Sequence, residues 1–278
     1  MKSKPIVLLL AFSLQISLLA QTTAKVKGNR NVTIKQTYID DFKAISLGEN
    51  FNIDLIYNSK PSVEIETDDN LHEVIKFEVI DGVLTFKSTA RITSKKVLKI
   101  TVNYSDVLQR IAVSNSAELR SLTSMELSSL TLTVADNSRA YLNIKVSSFE
   151  FKASGKSKTR LNVSAESSKV ELSDDSQLDA LINSPISEFY LYQRTDATVE
   201  GEATTTTLRI DNSANFYGNN YSVKSCDLVI EGTSDTTIEV LEEFTIDASG
   251  TTETFLYGQP TITVSNLSGS AKLQKKER

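Results

Sequence analysis

The chain has 278 residues, a formal net charge of −5 and 40% hydrophobic residues, with one histidine, one cysteine and no tryptophan. A single cysteine excludes an intrachain disulfide, so the fold must be held together by apolar packing. The acidic balance argues against a nucleic-acid-binding protein, because contacts to phosphate need clustered Lys and Arg.

The first twenty residues have the pattern of a secretory signal peptide. Lys2 and Lys4 begin the chain, an apolar run covers residues 6–14, and Ala20 offers a cleavage position, with Ala24 as a second choice. The run is too short and too interrupted to span a membrane, and no cysteine follows it to carry a lipid anchor. We expect an exported chain without a transmembrane segment, located in the periplasm, at the cell surface or outside the cell. Removing residues 1–20 changes its net charge from −5 to −7.

Residues 21–109 precede the repeats and are expected to be strand-rich from residue 37 onward. Residues 21–36 are polar and predict a flexible segment, whereas residues 37–109 alternate apolar with polar side chains as strands do. Asp81-Gly82 separates two apolar segments and predicts a hairpin with a type I′ turn. We expect this section to cover one end of the following repeats, because an open end exposes unpaired strand edges. No Pro-rich or Gly/Ser-rich linker intervenes, which favours one continuous body over two lobes.

From residue 110 to residue 273 an apolar-x-apolar pair recurs about every 19 residues. A fixed period of this size marks a solenoid, whose repeats bury their apolar faces only by stacking. Alternation within each pair and the abundance of Val, Ile, Thr, Phe and Tyr indicate strands, so we predict an all-β parallel solenoid followed by a basic tail at 274–278. The pairs are Ile111/Val113, Leu132/Val134, Phe151/Ala153, Val170/Leu172, Phe189/Leu191, Leu208/Ile210, Leu228/Ile230, Phe244/Ile246 and Ile262/Val264.

A hydroxyl follows each pair at a nearly fixed offset, which would stack Ser and Thr side chains at one corner of the solenoid. We interpret these residues as turn chemistry, because short hydroxyl side chains bond to nearby backbone groups. Ser138, Ser157, Ser176, Thr195, Ser234 and Ser268 lie four residues after the second apolar residue, and Ser116, Ser213 and Ser249 lie three after it.

Several segments together resemble a known family. A Phe-x-x-Ile segment opens at Phe42, the hairpin reads Asp81-Gly-Val-Leu84, and an Ile-Thr-Val strand at 100–102 leads into the segment 108–117, Leu-Gln-Arg-Ile-Ala-Val-Ser-Asn-Ser-Ala. Over residues 38–273 the chain is similar to the putative auto-transporter adhesin, head GIN domain family of secreted bacterial proteins, a domain of unknown function. The resemblance implies a right-handed parallel β-helix outside the cytoplasm. It carries over no catalytic residue, and most turns here lack the family's Ser-Gly-Ser-Gly pattern.

No residue pattern points to a particular reaction. His72 is the only histidine and no nucleophile motif accompanies it, while Cys226 is expected to be buried and inert. No His/Cys spacing supports a metal site and no Gly-rich loop supports a phosphate site, so we expect no catalytic residue, metal or cofactor. A weak calcium site between the turns at Asp136-Asn137 and Asp174-Asp175 stays open, since hard oxygen ligands suit Ca²⁺.

One outward-facing surface follows from the repeat. The residue between the two members of each pair faces outward, so these residues form a stripe that includes Lys152, Glu171, Tyr190 and Arg209. We expect a Lys152–Glu171 ion pair and a Tyr190–Arg209 cation–π contact, and these four residues are the candidate binding site. An ordinary solvated sheet face is the alternative interpretation. The aromatic residues expected nearby are Tyr192, Phe216, Tyr217 and Tyr221.

The sequence favours a secreted or cell-envelope β-solenoid that acts as a non-enzymatic adhesion or binding module. Its partner is an unknown extracellular or envelope ligand, a glycan or a protein. The alternative is a polysaccharide-active β-helix enzyme, a lyase or hydrolase, which would need acidic and basic side chains that converge in a cleft. Candidates for that cleft are Arg139, Arg160, Asp174, Asp175 and Arg194. A purely structural role in the periplasm is a third possibility.

Overall fold

A computed structural model describes residues 24–277, so the predicted signal peptide lies outside the described residues. Within them the chain is built from strands and one 3₁₀ turn, Asp69–Leu71, and contains no helix long and apolar enough to span a membrane. The strands are β1 Lys25–Lys27, β2 Val32–Tyr38, β3 Ala44–Leu47, β4 Asn52–Tyr57, β5 Ser62–Asp68, β6 Ile75–Ile80, β7 Val83–Ser88, β8 Arg91–Ser94, β9 Leu98–Tyr104, β10 Arg110–Val113, β11 Glu118–Ser121, β12 Met125–Glu126, β13 Ser129–Val134, β14 Arg139–Ala153, β15 Lys158–Leu172, β16 Gln177–Asn183, β17 Ile186–Leu191, β18 Asp196–Ile210, β19 Asn215–Ile230, β20 Asp235–Ala248, β21 Glu253–Tyr257, β22 Thr261–Leu267 and β23 Lys272–Lys275.

The strands wind into a parallel β-solenoid with two sheet faces, which confirms the predicted fold class. Face A contains β7, β3, β10, β13, β17 and β22 with the second halves of the long strands β14, β15, β18, β19 and β20. Face B contains β9, β4, β11, β12, β16, β21 and β23 with the first halves of the same long strands. Each long strand therefore belongs to both faces, and the core lies between them.

The apolar pairs form this core because alternate side chains of each strand point between the two faces. Phe151 and Val170 pair directly on neighbouring coils, and both are fully buried. Eight of the nine pairs are buried in this way. The last pair has the predicted inward direction, in register with Phe244 and Ile246, but is not buried, since Ile262 is 38% and Val264 is 51% exposed. They lie on β22, and no other described strand pairs with its outer edge.

One pair is shifted in register. Phe244 pairs with Cys226, and Ile246 with Leu228, so the unusually short spacing before Phe244 is a displacement by two residues along the strand. Asp247, rather than Thr245, therefore lies beside Val229 on the outer surface.

The corner hydroxyls form a buried column, but four of the nine predicted residues do not belong to it. Ser138, Ser157, Ser176 and Thr195 are fully buried on four successive coils, and Ser234 is buried at the same position two coils further on. The other four serines lie elsewhere on their turns, because the register places Ala117, Ala214, Thr252 and Ala271 in the column instead of Ser116, Ser213, Ser249 and Ser268. A constant offset from the apolar pair therefore did not identify every member.

The N-terminal coils stack in an order that differs from their order in the chain. β3 pairs with both β10 and β7, and β4 pairs with both β11 and β9, so the first coil lies between two later ones. The β6–β7 hairpin has positive φ angles of 51° at Asp81 and 72° at Gly82, as the predicted type I′ turn requires.

Antiparallel strands close this end of the solenoid. β6 pairs with β7 on face A, and β5 and β2 extend face B beyond β9. The segment 21–36, expected to be flexible, contains β1, which pairs with β8, and most of β2. The buried carboxylate of Asp68 links this segment to the chain after β8, because it accepts hydrogen bonds from the N–H groups of Arg30 at 3.1 Å and Lys96 at 3.2 Å. At the other end, β23 continues into the expected basic tail as far as Lys275.

Candidate binding surfaces

The predicted stripe is present on face A. Lys152, Glu171, Tyr190 and Arg209 lie side by side on consecutive strands, as the repeat requires. Lys152 Nζ lies 4.0 Å from Glu171 Oε2, so the expected ion pair is present at the limit of contact. A closer partner is Glu150, whose Oε1 lies 3.2 Å away, and the hydrogen bond with Glu150 raises the pKa of Lys152.

The neighbours of Tyr190 differ from those expected. The cation over its ring is Lys169, with Nζ 5.3 Å from the ring centroid, and not Arg209. Its hydroxyl donates a hydrogen bond to Glu188 at 3.0 Å. The stripe thus lies in a surface where acidic and basic side chains alternate and pair with one another. Exposed ion pairs of this kind contribute little to stability.

Two of the aromatic residues expected beside the stripe belong to the core. Phe216 and Tyr221 are fully buried and make edge contacts with the ring of Phe189, with centroid distances of 5.2 and 5.8 Å. Tyr217 is 43% exposed on face B, and Tyr192 is half-buried. The four aromatic residues therefore do not form one surface with Tyr190.

Face B carries a groove that the sequence did not indicate. It has a volume of about 640 Å³ and crosses β11, β14, β15, β16 and β18 along the solenoid axis. Residues at equivalent positions on neighbouring strands form columns along the solenoid. The groove lies between two columns of outward side chains, and the inward column between them forms its floor. One wall contains Arg120, Tyr141, Arg160 and Asp179, the other contains Asn143, Asn162 and Leu181, and the floor contains Leu142, Leu161 and Ala180.

Polar groups in the groove are paired along one wall and free along the other. The Arg120 guanidinium carbon lies 5.1 Å from the Tyr141 ring centroid, and Arg160 Nη2 lies 3.6 Å from Asp179 Oδ2. Opposite them, the side-chain amides of Asn143 and Asn162 make no hydrogen bond to any described residue. The groove therefore offers two adjacent amides, an aromatic ring and an ion pair to a ligand.

Apolar surface flanks these polar groups. Leu122 at one end is 50% exposed and Leu181 in the wall is 38% exposed. The groove also holds balanced charges, since Asp179 and Glu200 match its two arginines. The signal that could have revealed it is the spacing of Tyr141, Arg160 and Asp179 by 19 residues, parallel to that of Asn143 and Asn162.

The five candidates for a catalytic cleft do not converge. Asp174 Oδ2 accepts the N–H of Gly155 at 2.8 Å, and Asp175 Oδ1 lies 2.7 Å from Arg194 Nε, all at one corner of the solenoid. The hydrogen bond from Arg194 lowers the pKa of Asp175. Arg160 lies in the groove. Arg139 lies at the start of β14, where Nη1 is 3.8 Å from Glu118 Oε2.

The remaining reactive groups have structural surroundings. The Asp136 carboxylate accepts the N–H of Asn115 at 3.0 Å, and within residues 24–277 no three His, Cys, Asp or Glu side chains are grouped to hold a metal ion. His72 Nε2 lies 3.0 Å from Thr33 Oγ1, and partial burial lowers its pKa. Cys226 is buried as expected, and burial raises the pKa of its thiol.

The sequence profile of the putative auto-transporter adhesin, head GIN domain family matches residues 41–185, more than half of the chain. The chain belongs to this family. The resemblance inferred from the hairpin and the first coils is therefore confirmed. A comparison with curated proteins gives no match.

Solved structures share the fold over nearly the whole chain. A putative adhesin from Parabacteroides merdae is 20% identical, with a TM-score of 0.63 over 91% of this chain and 99% of that chain. A putative adhesin from Parabacteroides distasonis is 18% identical, with a TM-score of 0.63 over 91% and 100%. A putative lipid binding protein from the same organism is 15% identical, with a TM-score of 0.66 over 91% and 99%. At these identities the likeness is one of fold.

Proposed function

We propose that this chain is an exported, non-enzymatic binding module that holds an uncharged glycan in the groove of face B. The observation that carries the proposal is the groove itself, which joins an apolar floor to a ring, two free amides and an ion pair over several coils. Membership of an adhesin family supports binding rather than turnover. The start of the sequence, with its charged and apolar segments, supports export.

The chemistry of the lining favours a glycan. Sugar rings have apolar faces rich in C–H groups, which would lie on the floor and beside Tyr141, and hydroxyl edges that need donors and acceptors. Asn143 and Asn162 supply both from each amide, and the Arg160–Asp179 pair adds further donors and acceptors. The balanced charges give no preference for an anionic or cationic chain. Five coils spaced about 4.8 Å apart give room for a short oligosaccharide.

The stripe on face A is a weaker candidate for the same function. Lys152, Glu171 and Tyr190 already have partners among the neighbouring side chains of face A, and a ligand would have to displace these partners. Arg209, for which no ion pair is present among residues 24–277, is the member best placed for a ligand. Both surfaces can be compared in one experiment.

Glycan-array screening of residues 21–278, followed by calorimetry on any ligand found, tests the proposal. We expect Tyr141→Ala and Asn162→Ala to weaken binding about five- to thirtyfold, because each removes a contact worth roughly 1–2 kcal/mol. Tyr190→Ala and Arg209→Ala are the matched controls and should leave affinity unchanged. The opposite pattern would move the site to the stripe on face A.

Two further results would contradict the proposal. Cleavage of a polysaccharide by the purified chain, abolished by Asp179→Asn or Asp174→Asn, would establish the enzyme alternative. N-terminal sequencing of the protein from its native cells should find Gln21 as the first residue, and a retained Met1 in soluble cytoplasmic protein would reject export.

A further inference from the structure

The two ends of face A are built differently. Its head edge is β6, which pairs antiparallel with β7, while its tail edge is β22, which pairs with β20 alone among the described strands. On β6, Ile75 is buried and Phe77 packs against the ring of Phe86 at a centroid distance of 5.9 Å. On β22 all seven residues are exposed.

The tail edge has only one of the features that usually prevent strands from associating, a bulge at Ser265 in its pairing with β20. Charged side chains, proline, bulges or a covering segment normally protect an edge strand. The sequence of β22 is Thr-Ile-Thr-Val-Ser-Asn-Leu, with no charge, no proline and high β-propensity. It exposes Ile262, Val264 and Leu267, and the first two point toward the end of the core.

Charge distinguishes the possible partners of this edge. The head edge β6 carries Lys76 and Glu78, so stacking head to tail would place two charges against the uncharged β22. Charged side chains on an edge strand disfavour its pairing with another strand. Pairing β22 with a second β22 brings no charge of either strand into the contact.

We propose that two copies of this chain associate tail to tail through β22, which pairs antiparallel with β22 of the second copy. A two-fold axis beside Val264 places this residue opposite its own counterpart in the other copy. The pairing satisfies the free backbone groups of both edges and covers the exposed apolar side chains. The dimer is one extended rod in which the two face A sheets are continuous and each half carries its own groove.

Sedimentation analysis of residues 21–278 across a range of concentrations tests the association. We expect a reversible dimer that Val264→Lys converts to monomer, halving the apparent mass, because it places two like charges at the axis. Ile80→Lys is the matched control, since Ile80 is 56% exposed on the opposite edge of the same face, and it should leave the dimer intact. A monomer at every concentration, or a dimer that survives Val264→Lys, would overturn the proposal.

Cross-linking distinguishes tail-to-tail from head-to-tail association. The native thiol of Cys226 is buried, so in Val264→Cys the new thiol is the accessible one. Opposed side chains of an antiparallel pair have Cβ atoms about 4.5–5.5 Å apart, close enough for a disulfide after small adjustment. Mild oxidation should give a disulfide dimer with Val264→Cys and none with Ile80→Cys. Cross-links between these two variants when mixed, or assemblies that grow beyond two copies, would show head-to-tail stacking and reject the proposal.

Discussion

At the scale of single residues, the corner column separates hydroxyls that have partners from hydroxyls that have none. Ser138 Oγ donates a hydrogen bond to the carbonyl of Val113 at 3.0 Å and also contacts the carbonyl of Ala135. Ser157, equally buried on the next coil, has no partner for its Oγ. The column also accepts alanine, at Ala117 and Ala214, so its geometry does not require a hydroxyl.

Replacing each of these two serines by alanine should have different consequences. Ser138→Ala removes a bonded hydroxyl and should lower the free energy of unfolding by about 1 kcal/mol. Ser157→Ala removes a buried polar group that has no partner and should leave the free energy of unfolding unchanged or raise it. Chemical denaturation of the two variants and the parent measures the difference. Equal losses would mean that the hydroxyl of Ser157 is bonded in solution.

The sequence predicted the core of this protein better than its surface. Alternation and period together placed eight apolar pairs inside, because burial in a stacked coil depends on the repeat alone. Ile262 and Val264 follow the same pattern but are exposed, since burial also depends on a neighbouring coil. The groove was missed because the 19-residue spacing of its wall residues shows that they lie side by side but not that the surface between them is concave, which depends on the relative sizes of residues at three adjacent positions.

At the scale of elements, the corner that joins the two faces rests on a column of residues with positive φ. Three side chains of this column accept a backbone N–H from the preceding coil: Asp136 from Asn115, Asp174 from Gly155 and Gln193 from Asp174. Glycine is needed where backbones approach closely, and a Cβ on Gly232 would lie 2.3 Å from the carbonyl oxygen of Asn212. The members are Asn115, Asp136, Gly155, Asp174, Gln193, Asn212, Gly232, Gly250 and Gly269.

Two alanine substitutions separate backbone strain from backbone contact. Gly232 and Gly82 have positive φ angles of 83° and 72°, but a Cβ on Gly82 would find its nearest neighbour at 3.9 Å. Gly82→Ala should therefore cost only the left-handed strain, about 1–2 kcal/mol. Gly232→Ala should cost clearly more, because the coils must also separate. Thermal unfolding of both variants tests this, and equal destabilisation would mean that the corner shifts without cost.

At the scale of the molecule, the solenoid is one body with a single core. Buried residues from Phe42 in the first coil to Leu256 near the tail form one hydrophobic cluster. The order of the N-terminal coils could not be predicted, because β3 and β4 pair with strands that follow much later and carry no repeat spacing to indicate it. The proposed flexible segment likewise gains its order from distant partners, namely β8, β5 and the carboxylate of Asp68.

A charge placed in the middle of this core should show how far the coils depend on one another. Phe151 is fully buried and pairs with Leu132 on one side and Val170 on the other. Phe151→Asp should lower the free energy of unfolding by more than about 4 kcal/mol, because it buries an unpaired charge and removes a large apolar side chain. Thr133→Asp, on the outward side of the preceding strand, is the control and should change it little.

Hydrogen exchange on the same variants gives the spatial extent of the damage. Each coil of a solenoid contacts only its neighbours, so loss of protection should be greatest in β13, β14 and β15 and decline toward β20 and β3. That gradient is expected because stability is transmitted coil by coil through the paired strands. Uniform loss of protection from β3 to β22 would instead mean that the rod unfolds as a single unit, in which the cap and the distant coils depend on the centre as strongly as its immediate neighbours do.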